Sequence, residues 1–92
     1  MQEVLAKPGN QDLPLSEQEF YELRIDDSTD PEQPGFVVMQ SRATWSEADK
    51  GMVWDEIERE HWIMYQAAKN RYAARRQVLM ERGFTESDMD LF

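Results

Sequence analysis

Residues 45–82 read WSEADKGMVWDEIEREHWIMYQAAKNRYAARRQVLMER, and this stretch decides the expected fold. Thr44 and Glu47 have the spacing of a helix-capping box. After Gly51 the segment contains no Gly or Pro until Gly83, and about 31 residues of helix would be roughly 47 Å long. The pattern predicts a mainly α fold with one long C-terminal helix over 45–82. A small α+β fold of ββα order is the alternative.

The spacing of apolar residues along this expected helix defines its faces. At 100° per residue, one stripe holds Trp54, Ile57, His61, Met64, Tyr65, Ala68, Tyr72 and Leu79. We expect this stripe to face the core or a second copy of the helix. Arg75 falls in the same stripe, and it therefore needs a carboxylate partner or a place at the rim. Trp62 and Ile63 lie off the stripe and indicate a second apolar patch, facing a partner or covered by the N-terminal segments.

The N-terminal half leaves two interpretations open. Residues 1–14 are rich in Pro, Gly, Asn and Gln, which predicts a flexible arm. Ser16 and Glu19 form a capping-box pattern that favours a short helix over about 17–24, whereas the alternation from Tyr21 to Ile25 favours a strand. Residues 36–39 are expected to be a strand. If both segments are strands, they form a hairpin around the acidic connection of residues 26–35.

The expected domain organisation is simple. Residues 15–83 form a single small domain dominated by the long helix, and residues 84–92 form an acidic C-terminal tail. Gly83 suits the left-handed position after a helix, with Phe84 folding back on Leu79.

Composition restricts the function. The chain has 92 residues, with 19 Asp and Glu against 10 Lys and Arg, for a net charge of −9. Direct nucleic-acid binding is therefore disfavoured. The basic stretch 67–82 complements the helix dipole or contacts an acidic partner or RNA. The chain has no Cys, no apolar run that would span a membrane and no signal-peptide pattern. We expect a cytoplasmic protein without a membrane partner.

No set of residues has the pattern of a catalytic, cofactor or metal site. His61 is the single histidine and lies in no nucleophile motif. Glu58 and His61 have the Glu-x-x-His spacing that places two metal ligands on one helix face, but the motif occurs once. There is no Gly-rich phosphate loop. The sequence predicts a protein that is not an enzyme and holds no cofactor or metal.

The last five residues are Asp88, Met89, Asp90, Leu91 and Phe92. They resemble the peptide by which bacterial polymerases and repair proteins dock on the sliding clamp, with Asp88 in place of the usual leading Gln. They are also similar to the acidic, Phe-ended terminus of bacterial single-strand-binding proteins. Both resemblances imply an apolar pair, Leu91 and Phe92, that enters a pocket of a partner while the acids meet a basic rim.

These features predict a small acidic adaptor or inhibitor, of the kind that phages and mobile elements encode. Its partner would be a basic or nucleic-acid-handling protein. A more specific form of this hypothesis is a nucleic-acid mimic, in which carboxylates take the place that phosphates have in a nucleic acid. These carboxylates would be the acids of residues 26–32 together with Glu47, Asp49, Asp55, Glu56 and Glu60. The alternative is a homo-oligomeric helical assembly protein of a virion or tail, with a homodimer through the long helix. The predicted protein-binding residues are Trp54, Trp62, Ile63, Tyr65, Asp88, Met89, Asp90, Leu91 and Phe92.

Overall fold

The computed structural model describes residues 1–87, which form an antiparallel sheet of five strands with one α-helix packed on it. The strands are β1 (Gln2–Ala6), β2 (Phe20–Asp27), β3 (Phe36–Ser46), β4 (Gly51–Trp62) and β5 (Thr85–Ser87), and the helix is α1 (Tyr65–Glu81). Two short 3-10 turns, Asn10–Asp12 and Leu15–Glu17, lie between β1 and β2. The order across the sheet is β4-β3-β2-β1-β5. The prediction of a mainly α, helical protein is therefore wrong.

The first half of the expected long helix is a strand. β4 pairs with β3 from Ser46↔Gly51 to Phe36↔Trp62, with Lys50 in a left-handed conformation at the turn. Ile57 is the additional residue where the register shifts opposite Gln40 and Ser41, and it forms a β-bulge. Pairing with β3 satisfies the backbone of a segment whose Glu residues have little intrinsic strand preference. The helix begins at Tyr65, twenty residues after the predicted start at Trp45.

The alternative interpretation of residues 20–25 is confirmed. They belong to β2, which pairs with β3 from Asp27↔Phe36 to Tyr21↔Arg42 around the loop of residues 28–35. The short helix predicted over 17–24 is wrong. Glu19 does not cap a helix; its carboxylate pairs with Lys7 at 2.6 Å.

Residues expected to be a flexible arm instead contribute a strand to the sheet. β1 lies between β2 and β5 and pairs with both. Leu5 of β1 is completely buried. Because β5 follows the helix directly, the two ends of the described chain meet at this edge of the sheet.

The sheet has apolar side chains on both faces. The covered face, which packs against α1, has a core of Leu5, Tyr21, Leu23, Ile25, Val38, Ala68, Tyr72, Leu79 and Phe84. The opposite face has a smaller cluster of Phe20, Ala43 and Met52, with Val4, Ala6, Trp45 and Trp54 packed around it. Ala68, Tyr72 and Leu79 were expected in an apolar stripe and do face a core. In the strand half of that stripe, Ile57 is exposed, so the wheel assignment fails there.

The end of α1 follows the prediction. Gly83 has φ +93°, its N–H donates to the carbonyl oxygen of Met80, and the N–H of Phe84 donates to that of Leu79. This is the Schellman arrangement, in which a glycine adopts the left-handed conformation and the next residue packs back on the helix. Among the helices of residues 1–87, none has the length and apolar character needed to span a membrane.

Candidate protein-binding surface

Three consecutive large apolar residues are exposed where β4 turns into α1. Ile63 is 76% exposed, Met64 68% and Tyr65 45%. Two of them lie between the last residue of the strand and the first residue of the helix, where the chain reverses direction. We call residues 63–65 the exposed turn. Isolated exposed apolar residues are ordinary, whereas a contiguous group of this kind is typical of an interaction surface.

The loop between β2 and β3 supports the exposed turn. Gly35 has φ +129°, and a Cβ atom there would lie 2.9 Å from Ile63 Cα. This close backbone approach requires glycine. His61 Nε2 lies 3.0 Å from the carbonyl oxygen of Pro34 and donates to it, and the rings of Phe36 and Tyr65 are 5.1 Å apart. Residues 28–35, which we call the acidic loop, are thus held against the turn.

Three exposed acids, Asp27 at the end of β2 and Asp30 and Glu32 in the acidic loop, make no ion pair with any residue in the range 1–87. Asp30 only shapes the loop, because its carboxylate accepts the backbone N–H of Glu32 at 2.9 Å. No Lys or Arg occurs between residues 25 and 41. The negative charge of the loop is therefore available to an external group.

A cleft of about 470 Å³ opens beside the loop on the opposite face of the sheet. It is lined by Asp26, Asp27, Ser28, Thr29, Asp30, Gln33, Val37, Met39, Arg59 and His61. Asp26 is already paired with Arg24, and Arg59 with Glu56. Asp27 and Asp30 are the carboxylates of this cleft that have no cationic partner within the described chain.

Charged side chains on the covered face, unlike Asp27, Asp30 and Glu32, form ion pairs with one another. Arg75 on α1 lies between Glu58 and Glu60 of β4 and forms an ion pair with each. Its Nη1 donates a hydrogen bond to the side-chain oxygen of Gln40 at 3.1 Å. Arg71 pairs with Glu60 at 3.0 Å. Burial lowers the pKa of Arg75 from its usual high value, but two adjacent carboxylates favour its charged form. The prediction that Arg75 needs a carboxylate partner is confirmed.

A second group of paired charges joins the helix to the other edge of the sheet. Arg76 pairs with Glu3 at 2.8 Å and also with Glu86, and these carboxylates, Glu86 first, raise the pKa of Arg76. The hydroxyl of Tyr72 donates to Glu3 at 2.9 Å. Burial, followed by this hydrogen bond, raises the pKa of Tyr72 well above its usual value. Three arginines of the basic stretch are thus neutralised within the molecule.

The predicted binding residues occupy three different places. Ile63 and Tyr65 belong to the exposed turn, and Trp62 precedes it in β4, partly buried against the core of the covered face. Trp54 lies far along β4 and packs on the opposite face. Asp88, Met89, Asp90, Leu91 and Phe92 lie outside the described residues.

Sequence reasoning missed Met64 and Gly35 as parts of this surface. Met64 was assigned to the core-facing stripe, because the helix was expected to run through it. The available signal was the run Ile63–Met64–Tyr65 itself, three large apolar residues between a strand and a helix. No feature of the sequence around Gly35 indicates its contact with Ile63. The two residues are 28 positions apart, and the pairing of β3 with β4 brings them together.

The structure shows no arrangement suited to metal binding. Among residues 1–87, no group of three or more His, Asp and Glu side chains is arranged to hold an ion. Glu58 and His61 lie on a strand, so an interval of three residues places them on opposite faces. Of the acids expected on a helix as phosphate mimics, Glu56 and Glu60 are on β4 and are paired with arginines. The helical arrangement of those acids is therefore wrong.

Comparisons of the chain with protein-family models, with curated proteins and with solved structures find no significant match.

Proposed function

We propose that this protein is a small acidic binding module, an adaptor or inhibitor, whose partner is a basic protein such as one that handles nucleic acids. The observation that carries the proposal is the division of charge. The arginines of α1 are used internally against Glu3, Glu58, Glu60 and Glu86, whereas the acids of the loop face outward unpaired. The molecule therefore presents an acidic surface to its surroundings.

An outward acidic surface favours a basic partner for a kinetic reason. Complementary potentials steer encounter and raise the association rate, and like charges suppress wrong partners. At a net charge of −9 the same field repels nucleic acid.

Affinity purification with the full chain immobilised tests this function. The bound proteins are quantified by mass spectrometry, and the recovered partner is then studied by surface plasmon resonance at low and physiological salt. We expect basic proteins on the matrix and an on-rate that falls about tenfold with salt while the off-rate changes little. Recovery of acidic partners, or equal salt effects on both rates, would overturn the proposal.

One observation favours the homo-oligomeric assembly protein as a second candidate. β4 is 12 residues long and lies at the sheet edge, with one paired neighbour within the described chain. Such an edge is a template for another strand. A homodimer through the helix is disfavoured, because Ala68, Tyr72 and Leu79 pack against the sheet of the same chain. Light scattering distinguishes the candidates: an obligate oligomer favours assembly, and a monomer favours the binding module.

A further inference from the structure

We propose that the exposed turn and the acidic loop form one docking surface, and that it takes a partner segment with a large apolar side chain flanked by Lys or Arg. This inference rests on the proposed function and names the surface and the chemistry of the partner. The apolar element consists of Ile63, Met64 and Tyr65. The charged element consists of Asp27, the last residue of β2, and of Asp30 and Glu32 on the acidic loop, which contacts the turn through Gly35.

The surface is rigid enough to bind without a large ordering cost. The loop is closed by a hydrogen bond from the N–H of Ser28 to the carbonyl oxygen of Gly35, at 2.9 Å. The turn is fixed by the His61–Pro34 hydrogen bond and by the contact of Tyr65 with Phe36. A preorganised surface loses less conformational entropy on binding than a mobile one. Exposed aromatic and aliphatic anchors on such a surface are typical of binding hot spots.

The charge of the surface selects the partner. No base lies in residues 25–41, and Arg59, the arginine of the adjoining cleft, is engaged by Glu56. On the other side of the turn, the Lys69 ammonium lies 5.7 Å from the centre of the Tyr65 ring. Cationic side chains that approach from the loop side therefore meet unpaired carboxylates, while an apolar side chain meets Ile63 and Met64.

A second copy of this chain does not fit the same surface. In a two-fold symmetric contact each patch meets itself. Asp27, Asp30 and Glu32 would then approach the same carboxylates of the other copy, and the six carboxylates would outnumber the two Lys69 ammonium groups beside Tyr65. Like charges in contact oppose association. A basic partner segment satisfies both parts of the surface.

Selection from a phage-displayed library of random dodecapeptides against the full chain tests the surface. We expect selected peptides to combine Lys or Arg with a large apolar residue. Their affinity should fall at least about tenfold in the Ile63→Ser, Met64→Ser double variant, as for the loss of hot-spot residues. Val78→Ser is the control, because Val78 is 55% exposed but lies near the far end of α1.

Charge is tested separately with two variants that have the same net charge as each other. The variant Asp27→Asn, Asp30→Asn, Glu32→Gln should weaken the selected peptides more than Asp12→Asn, Glu17→Gln, Asp55→Asn, which removes three exposed carboxylates elsewhere. Amide chemical shifts on titration with peptide should change in residues 27–35 and 61–66. Absence of any selected binder, or binders that are equally affected by test and control variants, would overturn the proposed surface. If the purified basic partner also binds both variants equally, the surface fails while the proposed function stands.

Discussion

The covered face of the sheet and the proposed docking surface contain the same kinds of residue but differ in burial and in charge pairing. Under α1, apolar side chains are buried and Arg75 is enclosed by Glu58 and Glu60. At the exposed turn, Ile63 and Met64 face solvent and the loop carboxylates have no partner in the described chain. Burial and charge pairing support the fold in one region, while the other region contributes little to the core and exposes its apolar and acidic side chains to solvent.

An unpaired charge on the covered face is expected to destabilise the protein most. Ala68 is completely buried, so Ala68→Glu would bury a carboxylate without a partner and overfill the core. We expect a loss of about 3–5 kcal/mol in the free energy of unfolding. Ala73→Glu adds the same charge at an exposed position of α1 and is the control. Equal urea midpoints for the two variants would show that α1 does not pack as described.

The support of the docking surface is tested by Gly35. Gly35→Ala would place a methyl group 2.9 Å from Ile63 Cα at a positive φ, and we expect a loss of about 3 kcal/mol. Gly9→Ala is the matched control. Gly9 has φ +87° but has nothing within 4 Å of the added atom, so that only the conformational cost of about 1 kcal/mol applies. Similar melting temperatures for the two variants would contradict the close contact between loop and turn.

The paired charges of the covered face are tested by Arg75→Met. The Arg75 side chain is 10% exposed, while those of Glu58 and Glu60 are 51% and 29% exposed. Because these carboxylates retain access to water, we expect a loss of about 2 kcal/mol, less than for a fully buried pair. Arg42→Met, at an exposed arginine of β3, should change stability by less than about 0.5 kcal/mol. Chemical denaturation measures both, and an equal effect would mean that Arg75 does not join helix to sheet.

Tyr72→Phe should have a smaller effect that depends on pH. Loss of the hydrogen bond to Glu3 is expected to cost about 1 kcal/mol at neutral pH. The pKa of Tyr72 is higher in the folded than in the unfolded protein, so its contribution is complete below about pH 10 and declines as pH rises above that value. The stability of the parent protein should therefore decline more steeply than that of the variant in alkaline solution. Parallel curves would contradict burial of the hydroxyl.

The smallest effect on stability is expected at the exposed turn. Ile63→Ser combined with Met64→Ser should change the free energy of unfolding by less than about 0.5 kcal/mol per residue, because both side chains already face solvent. Thermal unfolding followed by circular dichroism measures this. A large destabilisation would show that these side chains belong to a core, and the comparison of the two regions would no longer hold.

Parts of the fold were predictable because their signals are local. Gly83 and Phe84 end the helix as expected, since a left-handed glycine and a returning apolar residue need only nearby backbone. Ala68, Tyr72 and Leu79 share one face because helical spacing is local as well. The apolar run that begins at Phe36 and the alternation from Tyr21 to Ile25 also indicated strands from the residues of those segments alone.

Other parts were not predictable from local pattern. The apolar spacing from Trp54 to Tyr65 is compatible with a helix. The alternation of Met52 and Trp54 is typical of a strand, but it is too short to favour a strand over a helix. At the candidate site, Ile63 and Tyr65 were predicted to bind protein, Ile63 in a second apolar patch and Tyr65 in the core-facing stripe. Their place beside the acidic loop follows from the register of β3 with β4.

Composition and local pattern are sufficient for the acidic charge, the end of the helix, the apolar face of α1 and the need of Arg75 for a carboxylate or a place at the rim. Only the folded chain shows that residues 51–62 form an edge strand, that Glu58 and Glu60 supply that carboxylate, and that Gly35 contacts Ile63. Caps and helix faces depend on residues a few positions apart, so their signals are local. A strand is stabilised by hydrogen bonds and side-chain contacts with another segment, and its identity is decided by where that segment lies.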